Sequence, residues 1–253
     1  MRIALFQYDI IWENKQANLA LIEKQLQQNS NFDLLVLPEM FTTGFTMNAS
    51  KVAETMHGET VLWLKTKAKE FDIAITCSLV ICENEVFYNR MLFVQPNGTI
   101  DFYNKRHLFT LAGEHVVYEK GSEKKVVFYK GVRFCLQICY DLRFPVFSRY
   151  NNDYDVLLYV ANWPVQRINA WDALLKARAI ENMCYAIGVN RVGTDANNYT
   201  YNGHSQAIDF LGNTVVEPFN TLCLQVFEIK IDELNLARIK LNFLNDKDSF
   251  QLL

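Results

Sequence analysis

The chain has 253 residues, of which 50% are hydrophobic and 21% are charged, so it can bury a sizeable core. Its 25 Lys and Arg against 28 Asp and Glu give a formal net charge of −3, which argues against a nucleic-acid binder or a membrane-surface protein. It contains no apolar run of about 18 residues and no signal-peptide pattern, so we expect a cytoplasmic enzyme or binding domain without a membrane partner.

Extended and helical patterns alternate through the first half of the chain. Residues 33–38 form a continuous apolar run that ends in proline, which is typical of a strand buried on both faces. Thr60 precedes a helical stripe and is predicted to be the N-cap of that helix. The elements predicted in chain order are a strand at 3–8, a helix at 17–28, a strand at 33–38, a helix at 60–71, a strand at 73–81, and a hairpin of 86–95 and 100–103.

The second half repeats this order of elements. Its predicted elements are strands at 132–138 and 156–160, a helix at 170–184, a strand at 185–190, and a hairpin of 206–210 and 214–217. The duplication predicts an α/β fold of two pseudo-symmetric halves that pack sheet to sheet with helices outside, a four-layer α-β-β-α sandwich. No segment is typical of a linker, so we expect a single domain over residues 1–253.

Three polar residues lie at or just after the ends of predicted strands, namely Glu39, Lys105 and Cys139. Function collects at the carboxyl ends of strands in α/β sheets. Lys105 would lower the pKa of a nucleophilic cysteine, and Glu39 in a partly dry pocket would accept the thiol proton. The backbone N–H of Tyr140 would point at a developing oxyanion. Each residue alone is also typical of a loop or core position, but together they predict a Glu-Lys-Cys triad.

Three longer strings around these residues resemble the signatures of the nitrilase, or carbon–nitrogen hydrolase, superfamily. They are residues 35–41 (LVLPEMF), 104–109 (NKRHLF) and 138–145 (ICYDLRFP). Residues 112–115 (AGEH), 159–164 (YVANWP) and 178–182 (RAIEN) match as well. The resemblance runs in order from residue 1 to about residue 230, and the fold of that superfamily is the same four-layer sandwich.

The resemblance implies a role for each catalytic residue. Glu39 would be the base, Lys105 the stabiliser of the oxyanion, and Cys139 the nucleophile. Glu114 would be a second active-site glutamate that positions Lys105 or the hydrolytic water. No cofactor and no metal is implied.

Within the superfamily, the strings look most like the omega-amidase branch. Such enzymes hydrolyse the terminal amide of 2-oxo acids, such as 2-oxoglutaramate and 2-oxosuccinamate, to the dicarboxylate and ammonia. Deaminated-glutathione amidases share much of the pattern, and a carbamoyl compound or a nitrile is a further alternative substrate. A binding protein that keeps a silent triad is the alternative from a different class.

Substrate-binding residues are expected around the motifs. Arg143 would bind a substrate carboxylate through two parallel bonds, or would instead pair with Asp141 or a glutamate to hold the loop. Asn162 would bond the substrate or cap a strand end. Four aromatic side chains would wall a small pocket or pack in the ordinary way: Phe41, Phe45, Tyr118 and Trp163.

The remaining predictions concern assembly and structural side chains. The helix at 170–184 is expected to form a homodimer or a larger homo-oligomer, and the segment 232–253 to cover a partner subunit or its own domain. His107 and His115 are expected to be structural hydrogen-bonding residues rather than bases. Five cysteines are expected to be buried reduced thiols: Cys77, Cys82, Cys135, Cys184 and Cys223.

Overall fold

The computed structural model describes residues 1–251 and begins with a half built on three parallel strands. Strands β1, β2 and β3 are parallel neighbours, and β4 and β5 continue the sheet as antiparallel strands. The elements of this half are β1 (Arg2–Gln7), α1 (Lys15–Gln28), β2 (Leu34–Val36), α2 (Ala49–Val52), α3 (Glu59–Phe71), β3 (Ala74–Glu83), β4 (Val86–Val94), β5 (Ile100–Asn104) and α4 (Glu114–Val117).

The second half repeats this arrangement. Strands β7, β8 and β9 are parallel, β12 and β13 continue the sheet as antiparallel strands, and β6 pairs with β7 at the other edge. Its elements are β6 (Val126–Tyr129), β7 (Val132–Ile138), α5 (Pro145–Ser148), β8 (Val156–Val160), α6 (Ile168–Asn182), β9 (Tyr185–Val189), β10 (Val192–Thr194), β11 (Thr200–Asn202), β12 (Ser205–Ile208), β13 (Thr214–Phe219), β14 (Cys223–Glu228) and α7 (Ile231–Leu241).

The two six-stranded sheets pack face to face. Alternate side chains of each strand point to opposite faces of its sheet, so Ile3 and Leu5 enter a core shared with Leu136 and Leu158 of the other sheet. The outer face of the first sheet packs against α1 and α3, and that of the second sheet packs against α6. The predicted four-layer α-β-β-α sandwich of two similar halves is confirmed.

Several predicted element ends and residue roles are wrong for identifiable reasons. Helix α3 begins at Glu59 with Gly58 as its N-cap, so Thr60 lies inside the helix, where its backbone N–H donates to Glu54 Oε2 at 2.8 Å. Helix α6 spans 168–182 rather than 170–184. Among the five cysteines predicted to be buried, Cys82 and Cys223 are only half-buried, because each lies near the end of a strand.

The chain after β13 crosses back to the first half, which the sequence analysis did not predict. Strand β14 pairs antiparallel with β1 and completes the first sheet. Helix α7 then covers its own chain: Leu234 is buried in the core between the sheets, and Arg238 donates to Asp155 Oδ1 at 3.1 Å. Residues 252 and 253, the end of the segment predicted to cover a partner subunit or its own domain, lie outside the described residues.

No helix within residues 1–251 is both long enough and apolar enough to cross a membrane.

Candidate active site

The predicted catalytic residues come together at one end of the two sheets. Glu39 follows β2, Lys105 follows β5 and Cys139 follows β7. Asn162 follows β8, and its backbone N–H donates to Glu39 Oε2 at 2.9 Å, so this contact joins the two halves of the molecule. The convergence follows from the topology, since parallel strands end at the same edge of a sheet.

Lys105 is held between two buried glutamates. Its Nζ donates to Glu39 Oε1 at 2.9 Å and to both carboxylate oxygens of Glu114, each at 2.9 Å. All three residues are at most 1% exposed. Burial alone would lower the pKa of Lys105, but the carboxylates of Glu114 and Glu39 raise it well above its usual range. Lys105 therefore carries a fixed positive charge rather than acting as a base.

Glu114 is fixed by the loop that precedes it. Its Oε2 accepts a hydrogen bond from the backbone N–H of Phe109 at 2.6 Å. Burial raises the pKa of Glu114, and the charge of Lys105 opposes that rise. Because both oxygens of the fixed Glu114 carboxylate accept hydrogen bonds from Lys105 Nζ, Glu114 orients the lysine.

Asn89, which the sequence analysis missed, bridges the two glutamates. It is fully buried in β4, and its Nδ2 donates to Glu39 Oε1 at 2.8 Å and to Glu114 Oε1 at 3.1 Å. Its Oδ1 accepts from the hydroxyl of Ser78 at 2.9 Å. The signal for this role was a polar residue inside the apolar run of 86–94, at a position that pairs with Val80 of β3.

Cys139 lies on a strained turn that directs it out of the sheet. Its φ is +44°, in the left-handed region that non-glycine residues seldom adopt. The turn is held by Asp141, whose Oδ2 accepts from the backbone N–H of Ile138 at 2.9 Å and from the hydroxyl of Tyr103 at 2.9 Å. This strain fixes the direction of the thiol relative to the strand end.

The electrostatics of Cys139 differ from the sequence prediction. Burial and the neighbouring Glu39 raise the pKa of the thiol well above its usual range, and Lys105 only partly opposes them. The prediction of a lowered pKa is wrong, because it considered one cation and not the two carboxylates that neutralise it. The resting thiol is therefore protonated and needs a base during attack.

A cavity of about 410 Å³ opens onto these groups. Glu39, Lys105 and Cys139 line it, together with Tyr140 and Arg143 of the turn after β7. Its size is that of a site for a small molecule. Within residues 1–251 there is no group of three His, Cys, Asp or Glu side chains placed to hold a metal ion.

Comparisons with known proteins identify the family. The pattern of the carbon–nitrogen hydrolase family matches residues 2–238. The chain is 44% identical over 257 residues to Omega-amidase YafV of Yersinia enterocolitica, an alignment that covers 100% of this chain and 99% of the relative. It is 35% identical to the 2-oxoglutaramate amidase of Bacillus subtilis, covering 85% of each protein.

Comparison with solved structures agrees with this family match. The structure superposes on a CN-hydrolase superfamily protein from Xanthomonas campestris with a TM-score of 0.96 and 40% identity, covering 100% of this chain and 99% of that one. The chain belongs to the carbon–nitrogen hydrolase family. The resemblance to the nitrilase superfamily is thereby confirmed, and the similarity to an omega-amidase agrees with the predicted branch.

The predicted pocket aromatics of this carbon–nitrogen hydrolase fall into two groups. Phe45 and Trp163 line the cavity. Phe41 and Tyr118 do not line it and instead pack in the ordinary way, the alternative left open by the sequence: Phe41 is fully buried under the first sheet, and the Tyr118 hydroxyl donates to Thr46 O at 2.6 Å. Tyr118 packs instead in a hydrophobic cluster with Met40, Ala49 and Val80.

Arg143 forms no ion pair with Asp141, the alternative left open by the sequence. Asp141 Oδ1 instead accepts from the backbone N–H of His107 at 3.0 Å and lies 2.7 Å from His107 Nδ1. The guanidinium of Arg143 lies over the ring of Trp163, with Cζ 5.0 Å from its centroid. His107 thus has the structural role predicted for it, whereas His115 is exposed and has no hydrogen-bond partner within residues 1–251.

Asn162 has one unused acceptor at the cavity. Its Nδ2 donates to the backbone oxygen of Glu39 at 2.6 Å, while its Oδ1 is buried without a hydrogen-bond partner among the described residues. The residue is 5% exposed and lines the cavity. A buried acceptor without a donor is costly, so this oxygen is suited to a donor that a substrate supplies.

Proposed function

We propose that this protein is an omega-amidase that hydrolyses the terminal amide of short 2-oxo acids, 2-oxoglutaramate and 2-oxosuccinamate, to the dicarboxylate and ammonia. The observation that carries the proposal is the cavity itself, where Cys139 faces buried Glu39 and Lys105 and where Arg143 has no acidic partner among residues 1–251. The similarity to proteins named for omega-amidase and 2-oxoglutaramate amidase activity supports the choice of substrate.

The first half of the reaction forms a thioester. Glu39 takes the proton of the Cys139 thiol as Sγ attacks the amide carbon, which suits a thiol whose pKa is raised. The oxyanion is stabilised by the Lys105 ammonium and the backbone N–H of Tyr140. When the tetrahedral intermediate collapses, the C–N bond breaks and Glu39 returns the proton to the departing nitrogen, so that neutral ammonia leaves.

The second half releases the acid. A water molecule loses a proton to Glu39 and attacks the thioester carbon. The C–S bond breaks, the thiolate of Cys139 regains a proton from Glu39, and the carboxylic acid leaves and gives its own proton to solvent. Glu114 keeps Lys105 in place through both steps, since both of its oxygens accept from Nζ at 2.9 Å.

The substrate is oriented by the other residues of the cavity. Arg143 binds the carboxylate at the end remote from the reacting amide. Asn162 Oδ1 accepts a hydrogen bond from the amide –NH₂, which supplies its missing donor. Phe45 and Trp163 enclose the carbon chain, and the ring of Phe45 lies 5.2 Å from Lys105 Nζ, which helps to exclude water from the ammonium.

The test is ammonia release from a panel of amides, with Cys139→Ala as the control. The panel contains 2-oxoglutaramate, 2-oxosuccinamate, glutamine, asparagine, deaminated glutathione, a carbamoyl compound and a simple nitrile. Turnover of the two oxo-acid amides that depends on Cys139 is the expected result. Preferential turnover of deaminated glutathione, or of a carbamoyl compound or nitrile, would replace the substrate assignment. A panel without any turnover would favour a silent binding protein.

We also propose that the protein is a single-domain, cytoplasmic homodimer. The unpaired buried thiols Cys77, Cys135 and Cys184 suit a reducing compartment. Apolar side chains remain exposed on α6 and α7, including Ile180 at 49% and Ile239 at 78%, and a second copy would cover them. Light scattering after size-exclusion chromatography tests the assembly, and a monomer at micromolar concentration would contradict it.

A further inference from the structure

Two guanidinium groups without an acidic partner face the same cavity. Arg143 and Arg167 both line it, and each is half-buried. The ion pairs that arginines form within residues 1–251 involve Arg90, Arg133, Arg178, Arg191 and Arg238, and neither of these two. Two guanidinium groups without a carboxylate partner in a cavity suit an anionic or strongly electronegative ligand.

One side chain, that of Trp163, contacts both arginines. Trp163 lies under the guanidinium of Arg143, and its indole Nε1 donates to the backbone oxygen of Arg167 at 2.8 Å. The guanidinium of Arg167 lies over Phe109, with Cζ 5.1 Å from the ring centroid. Arg167 therefore lies on the same wall of the cavity as Arg143.

The one other acid at this part of the cavity is already engaged. Asp195 Oδ1 accepts from the backbone N–H groups of Asn197 and Tyr199, at 2.9 and 3.0 Å. Its Oδ2 accepts from the Tyr201 hydroxyl at 2.7 Å. This carboxylate is held by the β10–β11 hairpin and forms no ion pair with Arg167.

We propose that Arg167 is the specificity residue that selects 2-oxo acids over 2-amino acids, an inference that rests on the proposed omega-amidase function. A carboxylate needs only one guanidinium for two parallel hydrogen bonds, and Arg143 supplies it. Arg167 donates to the neighbouring 2-oxo oxygen. The ammonium that replaces this oxygen in glutamine is repelled by the second guanidinium.

The experiment compares three substrates that differ only at carbon 2, namely 2-oxoglutaramate, glutaramate and glutamine. In Arg167→Gln, kcat/KM for 2-oxoglutaramate should fall about tenfold to a hundredfold, which is the worth of one hydrogen bond to a charged group, mainly through KM. Glutaramate, with CH₂ at that carbon, should lose much less, and the preference for 2-oxoglutaramate over glutamine should narrow. Gln166→Ala, on the same turn but exposed, is the matched control and should behave as wild type.

A binding measurement separates this proposal from the proposed function. Calorimetry with 2-oxoglutarate and glutarate as probes should show a preference for 2-oxoglutarate in wild type that Arg167→Gln loses. Equal losses for 2-oxoglutaramate and glutaramate, or an unchanged preference over glutamine, would overturn the role of Arg167 while leaving the amidase intact. Arg167-dependent selection of 2-oxoglutarate in a protein that hydrolyses no oxo-acid amide would uphold Arg167 and refute only the function.

Discussion

Replacement of Asn89 by alanine tests how the buried charges are positioned. The change removes the Nδ2 group that donates to Glu39 at 2.8 Å and to Glu114 at 3.1 Å. Hydrogen bonds to charged groups are worth roughly 1.5–3 kcal/mol each, so the two bonds set an upper limit of about 6 kcal/mol on the loss of unfolding free energy. Lys105 still bonds both carboxylates, so we expect about half of that limit.

The effect on catalysis should be larger than the stability loss alone explains. Without Asn89, the carboxylate of Glu39 is held on that side only by Lys105, and a misplacement of about 1 Å can cost on the order of 10²-fold in rate. We expect kcat for ammonia release to fall by about that factor. The acid limb of the pH profile should move to higher pH, because a donor to the Glu114 carboxylate is gone and burial already raises the pKa of that group.

The assay pairs ammonia release across pH with urea denaturation, and Thr76→Val is the matched control. Thr76 is buried in β3, where its hydroxyl donates to Leu92 O at 2.9 Å and contacts no catalytic carboxylate. The control should lose about 1 kcal/mol of stability and keep its kcat. Asn89→Ala could instead be less stable but retain the kcat of the wild type and the same acid limb of its pH profile. In that case Asn89 would be merely structural, and its proposed role in positioning Glu39 would be refuted.

Three further predictions follow from the structure. Arg143→Lys should raise KM for 2-oxoglutaramate sharply with less effect on kcat, and an unchanged KM in steady-state assays would remove its role as carboxylate anchor. The rate of Cys139 alkylation by iodoacetamide, followed by mass spectrometry of its peptide, should keep rising at alkaline pH, since burial raises the pKa of this thiol; a plateau below pH 7 would contradict this. Asp155→Asn should cost about 3 kcal/mol of unfolding free energy in urea, because Arg133 and Arg238 both pair with that carboxylate. Burial raises the pKa of Asp155, but the hydrogen bonds from Arg133 outweigh it and lower the pKa. The stabilisation by Asp155 is therefore present above about pH 4 and is lost as the pH falls through the lowered pKa. If the wild type were still more stable to unfolding than Asp155→Asn at pH 2, this prediction would be contradicted.

The positions of Glu39, Lys105 and Cys139 could be predicted from the sequence because local signals mark them. Each follows a short apolar run that reads as a strand, and parallel strands bring such ends to one edge. Asn89 could not be found in this way. Its contacts are with residues 50 and 25 positions away, and they depend on the register of β3 against β4, which the sequence does not display.

The directions of side chains also could not be predicted from the sequence. Tyr118 lies four positions after Glu114, yet it packs in a hydrophobic cluster with Met40 and Val80 and does not line the cavity. The pKa of Cys139 was misjudged for a related reason, since motif spacing reveals which charges are present but not how they balance. Strand β14 was missed because its half-buried residues lack a clear apolar alternation, although it pairs with all of β1.

The charge balance of the cavity supports the proposed role of Glu39 as a proton carrier. Two buried carboxylates, Glu39 and Glu114, share the ammonium of Lys105, so a resting thiolate at Cys139 would add another negative charge to the same volume. That state is unfavourable in a medium of low dielectric constant. If the proton moves from Cys139 to Glu39 during attack, no net charge is added to the cavity, and negative charge develops on the oxyanion instead. In this proposal Lys105 stabilises the oxyanion, and Glu114 holds Lys105 in place through two hydrogen bonds of 2.9 Å.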